Sequence, residues 1–344
     1  MTWEISYLGT LGGTSSQAWG IRADGSIVVG SSLNGSGSLQ GFSWGGGTMT
    51  ALGFLTGGTA AEARAISASG LIVGYSRDSS AIDQAVTWTG TAPSLIGNTL
   101  GGSGARALGV STGGEVVGWA RESSGVQRAF VFSSGAMSAL NLTAINGQHD
   151  PNAGHSARAL GVSPDGRYVV GEFEVDNGLG GAELHGFVYD RTSPASSYEF
   201  SSGGVGSARA SNNTHADGQI LNPPTDTLAA FSLHSGASAS FLPSLSGDEV
   251  ASAINTSGVI VGFQDLGAGR RATAWSGPSV SATSLNLDAL HGQEIYWSRQ
   301  PAWQKLQGST PVGGHLAGRH MAFPRSSRSQ GQWYSSYWEE PLWS

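Results

Sequence analysis

Cysteine is absent from this 344-residue chain, and lysine occurs once, at Lys305, against 16 arginines. The first absence excludes disulfides, thiolate metal sites and cysteine nucleophiles. Charged residues are only 12% of the chain, and the net charge of −7 argues against a broad nucleic-acid surface. No apolar run approaches the roughly 20 residues that span a bilayer.

The N-terminus MTWEISYLGT has neither a basic region nor an apolar core of the kind that opens a signal peptide. We therefore expect either export by another route or a trimmed leader. A phage structural protein, which is released by lysis, needs no leader and is consistent with this reading.

What the chain does contain is glycine, 54 residues of it, together with 39% hydrophobic residues and 11 tryptophans. That combination predicts a packed core and not a disordered polymer. A glycine, a β-branched run and a second glycine recur with a mean spacing of about 47 residues. The copies are GSIVVG (25–30), GLIVG (70–74), GEVVG (114–118), GRYVVG (166–171), GQILN (218–222), GVIVG (258–262) and GSTPVG (308–313).

Two further positions recur ahead of this motif. One position lies four residues before the first glycine and is apolar in most units: Ile21, Ile66, Val110, Val162, Thr214, Ile254 and Gln304. A small residue lies three positions further back, at Ala18, Ala63, Ala107, Ala159, Ser211 and Ala251. Each unit continues to a strand with an aromatic end, such as QGFSW (40–44) or RAFVF (128–132). The turn sequences ADGS (23–26), PDGR (164–167) and ADGQ (216–219) and the β-branched runs predict strands joined by tight turns.

Four short antiparallel strands in each unit predict a β-propeller blade. A β-helix and an open solenoid are the alternatives, but the first has a shorter period and the second needs capping repeats. Seven units predict an all-β, seven-bladed propeller over residues 1–324. The motif LGTLGG (8–13), whose relatives end later units, opens the chain. We therefore expect residues 3–10 to supply the last strand of blade 7 and close the ring, which removes an exposed sheet edge.

These residues resemble the HAF-repeat family of bacterial extracellular proteins, through LGTLGG, the Ala-x-x-Ile…Gly-x-Val-Val-Gly core and the His-Ala-Phe strand, here RAFVF, HGFVY and RHMAF. The resemblance covers roughly residues 4–324. It departs from the family in most of the histidines and in the fifth unit. It implies an exported propeller-like repeat protein without a defined activity.

Three groups of residues are candidate sites. Five residues occupy one repeat position on the first strand of their units: Gln17, Glu62, Arg106, Arg158 and Gln300. We expect them to form a ring that lines the central channel or binds a glycan or anion. A loop carries His149, Asp150 and His155, whose side chains suit a divalent metal, although an ordinary polar loop explains them and we expect no bound metal. The acidic stretch Glu172–His185 suits calcium or a basic partner, but a solvated hairpin is the simpler interpretation.

The tail, residues 325–344, follows the predicted propeller and is dense in aromatic side chains: Trp333, Tyr334, Tyr337, Trp338 and Trp343. Such side chains anchor interfaces. They predict docking to a protein partner or a neighbouring copy, and a strap across the same propeller is the alternative. By contrast, we assign the third-strand aromatics to the core between blades: Trp44, Trp88, Phe132, Tyr189 and Trp275.

No nucleophile elbow, zinc helix, phosphate loop or dinucleotide fingerprint is present in the sequence. We expect a non-enzymatic binding and structural module of an extracellular assembly, such as a phage virion or tail. It would need no cofactor and would contact a cell-surface glycan or protein. The alternatives are a metal-dependent polysaccharide lyase or hydrolase, using histidines and carboxylates of the fourth unit, and a secreted surface-display protein.

Overall fold

The computed structural model describes residues 7–97, 99–146, 154–179, 181–200, 206–213, 215–222, 227–234, 240–242, 248–255, 259–265, 270–276 and 283–284. The chain divides into two compact units, Met1–Gln307 and Gly308–Ser344. Every described residue lies in the first unit. The seventh sequence unit and the aromatic tail therefore lie outside the described residues.

The described chain forms successive four-stranded antiparallel sheets, each built from strands in chain order. Blade 1 contains β1 (Gly12–Ile21), β2 (Val28–Asn34), β3 (Leu39–Gly45) and β4 (Thr48–Ala51). Blade 2 contains β5 (Ala61–Ile66), β6 (Ile72–Arg77), β7 (Asp83–Thr89) and β8 (Ala92–Leu95). Blade 3 contains β9 (Gly101–Val110), β10 (Val116–Glu122), β11 (Gln127–Ser133) and β12 (Ala136–Ala139).

The next blades follow the same order. Blade 4 contains β13 (Ala157–Val162), β14 (Tyr168–Asp176), β15 (Ala182–Asp190) and β16 (Tyr198–Phe200). Blade 5 contains β17 (Gly206–Ser211), β18 (His215–Asn222), β19 (Thr227–His234) and β20 (Ser240–Phe241). Blade 6 contains β21 (Asp248–Ile254), β22 (Val259–Asp265), β23 (Arg270–Ser276) and β24 (Thr283–Ser284). A four-residue helix, α1 (Thr143–Asn146), follows blade 3, and a 3-10 turn, Pro194–Ser196, precedes β16.

The first strand of each described blade contacts the first strand of the next, which is the arrangement of inner strands in a propeller. The all-β propeller with four-stranded antiparallel blades is thus confirmed. Six blades lie within the described residues. The count of seven depends on residues outside that part of the chain. Of residues 3–10, which we expected to close the ring, only 7–10 are described, and they form no strand.

Hydrophobic clusters fill the spaces between consecutive blades. Val29 and Leu52 of blade 1 pack with Val86 and Trp88 of blade 2, and the other clusters likewise join neighbouring sheets. Trp88, Tyr189 and Trp275 are buried members of these clusters, and Phe132 packs against one. The core assignment of these four aromatics is confirmed, whereas Trp44 is half-buried in its sheet.

The first strands share a β-bulge immediately after the small residue of the repeat. In β5, Ala63 pairs with Gly74 and Ala65 pairs with Val73, so that Arg64 between them has no partner across the ladder. The same shift of one residue occurs in every described blade. The extra residue is Trp19, Arg64, Leu108, Leu160, Arg209 or Ser252, in chain order.

The bulge explains the second glycine of the motif. A Cβ at Gly74 would overlap the carbonyl oxygen of Glu62, which leaves no room for a side chain. The equivalent glycines meet the equivalent carbonyls: Gly30, Gly118, Gly171, Gly218 and Gly262. The first glycine has a different role, since Gly70 has φ +90° in the turn before β6.

In the fifth unit, the strand pairing corrects the alignment of the repeat that the sequence predicted. Gly218 pairs with Ala208 and meets the Ser207 carbonyl, so it is the second glycine of the motif and not the first. The predicted turn ADGQ (216–219) is wrong, because these residues lie inside β18. A glycine in the middle of a strand and one in a turn give the same local sequence, and only the pairing with β17 separates them. The turns ADGS and PDGR are confirmed.

Candidate functional site

The predicted ring position falls on the inner strands, one residue before the small residue that precedes the bulge. Gln17 pairs with Ser31, Glu62 with Tyr75, Arg106 with Trp119 and Arg158 with Glu172. The common register of these four residues is confirmed, and Gln300 lies outside the described residues. Their surroundings differ, however. Gln17 is exposed, Glu62 is only 2% exposed, and both arginines are half-buried.

Glu62 is the buried charge of this set, and two neighbours hold it. The Tyr75 hydroxyl donates a hydrogen bond to Glu62 Oε1 at 2.9 Å. Arg64 Nη2 lies 2.6 Å from Glu62 Oε2. Burial raises the pKa of the Tyr75 phenol, and the negative charge of Glu62 raises it further. Tyr75 therefore stays protonated and serves as a fixed donor.

Arg64 connects this carboxylate to blade 1. Its guanidinium carbon lies 3.9 Å from the centroid of the Trp19 ring, a stacked cation–π contact. Trp19 is buried, and its Nε1 donates to Ser31 Oγ at 2.9 Å. Both Trp19 and Arg64 are bulge residues. The bulge therefore re-aims their side chains so that they meet across the boundary between two blades.

Arg106 continues the contacts from blade 2 into blade 3. Its guanidinium carbon is 4.2 Å from the centroid of the Tyr75 ring and 5.9 Å from that of Trp119. Arg106 Nε and Nη2 donate to Asp83 Oδ2 at 2.9 and 2.5 Å, and Asp83 Oδ1 accepts from Arg77 Nε at 3.1 Å. Burial alone lowers the pKa of Arg106, but the negative charges of Asp83 and Glu62 help to raise it overall, so the side chain remains a cation.

Six side chains thus form a continuous series of charged and aromatic groups across three blades, which we call the inner-strand row: Trp19, Arg64, Glu62, Tyr75, Arg106 and Trp119. Arg121 adds to its far end, since its guanidinium carbon lies 5.8 Å from the Trp119 ring centroid. Trp119 is half-buried and Arg121 is exposed. This end of the row is therefore the part that solvent and a ligand reach.

Sequence reasoning located two members of the row, Glu62 and Arg106, and missed the others. Tyr75 and Trp119 each follow the second glycine of the motif, a position that Phe263 also occupies in blade 6. Aligning the units on that glycine would have shown the aromatic preference. Trp19 and Arg64 carry no such signal, because the bulge that orients them is not evident from the residues alone.

The acidic stretch of blade 4 does not form one cluster. Glu172, Glu174 and Asp176 share one face of the β14–β15 hairpin, whereas Glu183 and His185 pair with Val175 and Phe173 and occupy the other. Glu172 is buried and forms an ion pair with Arg158. The prediction of a solvated hairpin is therefore wrong at the base of the hairpin, where Glu172 is buried, while Asp176 near the tip is exposed.

His185 is 8% exposed and lies between two carboxylates. Its Nδ1 is 3.4 Å from Glu199 Oε2, and its Nε2 is 3.7 Å from Glu183 Oε2. Within the described residues, no group of three or more His, Cys, Asp or Glu side chains has metal-binding geometry. His155 is half-buried, and the metal hypothesis also involves His149 and Asp150, which lie outside the described residues.

Comparisons with known proteins add little to this picture. No protein-family model matches the chain, and no curated protein matches it, so the resemblance to HAF-repeat proteins stays a prediction. Across the described residues, no helix is both long and apolar enough to cross a bilayer.

Solved propellers resemble the chain at low identity. The β-propeller domain of the Trilobed protease from Pyrococcus furiosus is 12% identical, with a TM-score of 0.49 over 80% of this chain and 84% of that one. TolB from Acinetobacter baumannii is 14% identical, with a TM-score of 0.47 over 81% of this chain and 66% of that one. A putative TolB from Agrobacterium tumefaciens is 14% identical, with a TM-score of 0.40 over 78% and 79%. The class of the protein, an all-β propeller, follows from its own sheets.

Proposed function

We propose that this protein is a non-enzymatic β-propeller that serves as a binding and structural module of an extracellular assembly, such as a phage virion or tail. It contacts a cell-surface glycan or protein through its blades. The extracellular setting is an expectation from the sequence, whereas the support for a binding role comes from the described residues.

The inner-strand row is the observation that carries the binding role. Arginine and aromatic side chains are the residue types that dominate interface energies. Here they are held in place before any ligand arrives, because Tyr75 and Asp83 fix the Arg106 guanidinium. Preorganised side chains lose little conformational entropy on binding, which favours affinity. The half-buried Trp119 and the exposed Arg121 extend this ordered series to solvent.

Two further parts of the proposal concern residues that lie, apart from 7–10, outside the described structure. We propose that a seventh blade forms from residues near 308–324 and that residues 3–10 complete it. We also propose that the aromatic tail, 325–344, docks to a partner or a neighbouring copy. The support for both is the repeat pattern and the aromatic density of the sequence.

Binding without depolymerisation is the first test. The full chain would be applied to a panel of purified bacterial polysaccharides, and both retention and solution viscosity would be measured with and without added divalent cations. We expect retention of at least one polysaccharide and unchanged viscosity. A fall in viscosity that requires the metal would contradict this proposal and favour the lyase or hydrolase alternative. If the protein retained no polymer, a glycan would be excluded as its ligand within the panel tested.

Solution mass tests the tail. Light scattering on a sizing column would compare the full chain with a version that ends at Pro324, with circular dichroism as the check on folding. A multimeric full chain and a folded monomeric truncation are the expected result for docking between copies. Two folded monomers would exclude self-association and leave a strap or a foreign partner.

A further inference from the structure

The exposed end of the inner-strand row brings one indole and two guanidinium groups together. Arg106 and Trp119 are cross-strand partners between β9 and β10, and Trp119 and Arg121 are two residues apart on β10, so all three side chains lie on one face of blade 3. Their guanidinium carbons are 5.9 and 5.8 Å from the indole centroid. The indole is half-buried, so part of its surface stays open to solvent.

Both cations are held in position by other parts of the protein. Asp83 accepts two hydrogen bonds from Arg106. The backbone carbonyl of Gly125 accepts one from Arg121 Nη1 at 2.9 Å. The nearby carboxylate of Glu122 lies 3.6 Å from Arg128, its own ion-pair partner. Asp83 pairs with both Arg77 and Arg106, so these three side chains keep one positive charge, and Arg121 adds a second guanidinium group beside the Trp119 ring.

This arrangement fits a sugar ring that carries an acidic group. The apolar C–H face of a pyranose ring packs against an indole, and a carboxylate accepts hydrogen bonds from a guanidinium group in its plane. A nucleic acid is a poorer match, because its affinity rests on many phosphate contacts and this chain is acidic overall with only two arginines beside the indole. The hydroxyl groups of a neutral sugar also accept hydrogen bonds from a guanidinium group, but these bonds are weaker than the charge-assisted bonds that a carboxylate accepts.

We infer that Trp119, Arg106 and Arg121 form a subsite for an anionic sugar ring of a polysaccharide, a hexuronate by its chemistry. This inference rests on the proposed binding function and narrows its ligand class. The indole supplies the packing surface, Arg121 receives the acidic group, and Arg106 places a second guanidinium group near the indole.

The test uses the full chain and polymers that differ in their acidic group. Binding of polygalacturonate would be measured by titration calorimetry at low ionic strength, beside the same polymer after methyl esterification, dextran sulfate as a sulfated polymer without hexuronate, and dextran as a neutral one. We expect binding of polygalacturonate and at least tenfold weaker binding of the esterified form, because esterification removes the charge that the guanidinium groups recognise. Tighter binding of dextran sulfate than of polygalacturonate would identify sulfate as the preferred acidic group and overturn the hexuronate assignment.

Variants assign the binding to this subsite. Arg121→Gln keeps the size of an exposed side chain and removes its charge, and we expect about tenfold weaker binding of polygalacturonate. Trp119→Ala is expected to weaken it further, with circular dichroism and the melting temperature as checks on folding. Arg22→Gln, in the exposed turn before β2, is the matched control and should change the affinity by less than about twofold.

The outcomes separate this inference from the broader function. If Arg121→Gln binds polygalacturonate as tightly as the unaltered protein, or if the esterified polymer binds equally well, the subsite is overturned. Should the protein then still retain a neutral polysaccharide, the proposed binding function stands with a different ligand. Retention of no polymer at all would overturn both.

Discussion

A glycine ends each β-branched run of the repeat, and its role is set by a single carbonyl oxygen. In β6, Gly74 lies where the bulge of β5 brings the Glu62 carbonyl against the Cα, so no Cβ fits. Backbone cannot move aside as a flexible side chain can. The glycine is therefore a packing requirement of the bulge and not a flexible point in the strand.

Gly74→Ala is expected to lower the free energy of unfolding by about 3 kcal/mol or more, since both strands must shift to admit the methyl group. Urea unfolding followed by circular dichroism measures the change. Gly35→Ala is the matched control, because a Cβ there meets nothing within 4 Å. It should change stability by about 0.5 kcal/mol at most. Equal losses in the two variants would contradict the role given to the bulge.

Asp190 shows how a single carboxylate ties stability to pH. It is 3% exposed and accepts hydrogen bonds from Arg167, from the Thr192 hydroxyl and from the backbone N–H groups of Thr192 and Ser193. The Arg167 guanidinium holds the pKa of this carboxyl well below its usual range, and burial opposes that shift only in part. The ionised form is thus favoured in the folded state.

Because the folded-state pKa lies below that of the unfolded chain, about 3.9, Asp190 contributes its full stabilisation above that pH. The contribution falls as the pH drops from about 4 towards the folded-state pKa. Asp190→Asn should therefore cost about 2 kcal/mol at pH 7. The gap between the variant and the unaltered protein should narrow below about pH 4, as measured by urea unfolding at several pH values. A gap that widens with acid would contradict the assignment.

At the scale of elements, the link between one blade and the next is fixed by a tryptophan from the following sheet. Trp88 on β7 donates from Nε1 to the Gly53 carbonyl at 3.0 Å, and the Gly53 N–H donates to the Thr91 carbonyl at 2.7 Å. Leu52, next to this glycine, is fully buried. The segment 52–54, which follows the outer strand of blade 1, is thus held by the C-terminal end of β7 and by the turn after it.

Trp88→Phe keeps the apolar ring but removes the donor and some volume. We expect a loss of about 2 kcal/mol, combining an unsatisfied Gly53 carbonyl with a small void. Thermal unfolding measures it. Trp44→Phe, at the equivalent but half-buried position of blade 1, serves as the control and should lose less. A larger loss at Trp44 would show that the link does not depend on the Trp88 hydrogen bond.

For the molecule as a whole, the important feature is that each core cluster belongs to two neighbouring blades. Val117 and Leu140 of blade 3 pack with Val169 and Phe187 of blade 4 in a single cluster. A repeat architecture of this kind couples nearest neighbours directly and distant blades only through the units between them. Damage at one interface should accordingly weaken two blades first.

Phe187→Ala removes a fully buried ring from that cluster and is expected to cost about 3–5 kcal/mol. Hydrogen exchange measured by mass spectrometry should show faster exchange in β9–β16 and retained protection in β1–β4. Equal loss of protection in all blades would instead indicate that the propeller unfolds only as a whole.

The sequence by itself determined the features that local patterns encode. The β-branched runs, the turn glycines and the repeat period predict four-stranded blades. The small and apolar anchors of most units fall where the sequence placed them, and a first strand ends at each of Ile21, Ile66, Val110, Val162 and Ile254. Apart from the half-buried Trp44, the aromatic ends of the third strands were correctly predicted as core, because their spacing repeats with the blade. These properties depend on residues within one unit.

Only the tertiary structure decided which side chains meet. The one-residue bulge places Arg64 on Trp19 and Glu62, and the pairing of β9 with β10 brings Arg106 to Trp119. The register of the β14–β15 hairpin likewise splits the acidic stretch of blade 4 between two faces. Register and bulges depend on how two strands pair and not on the residue pattern of either strand alone. Shifting a strand by one residue moves every side chain to the opposite face of the sheet. The repeat therefore defines the blade, while the contacts between strands and blades define the candidate site.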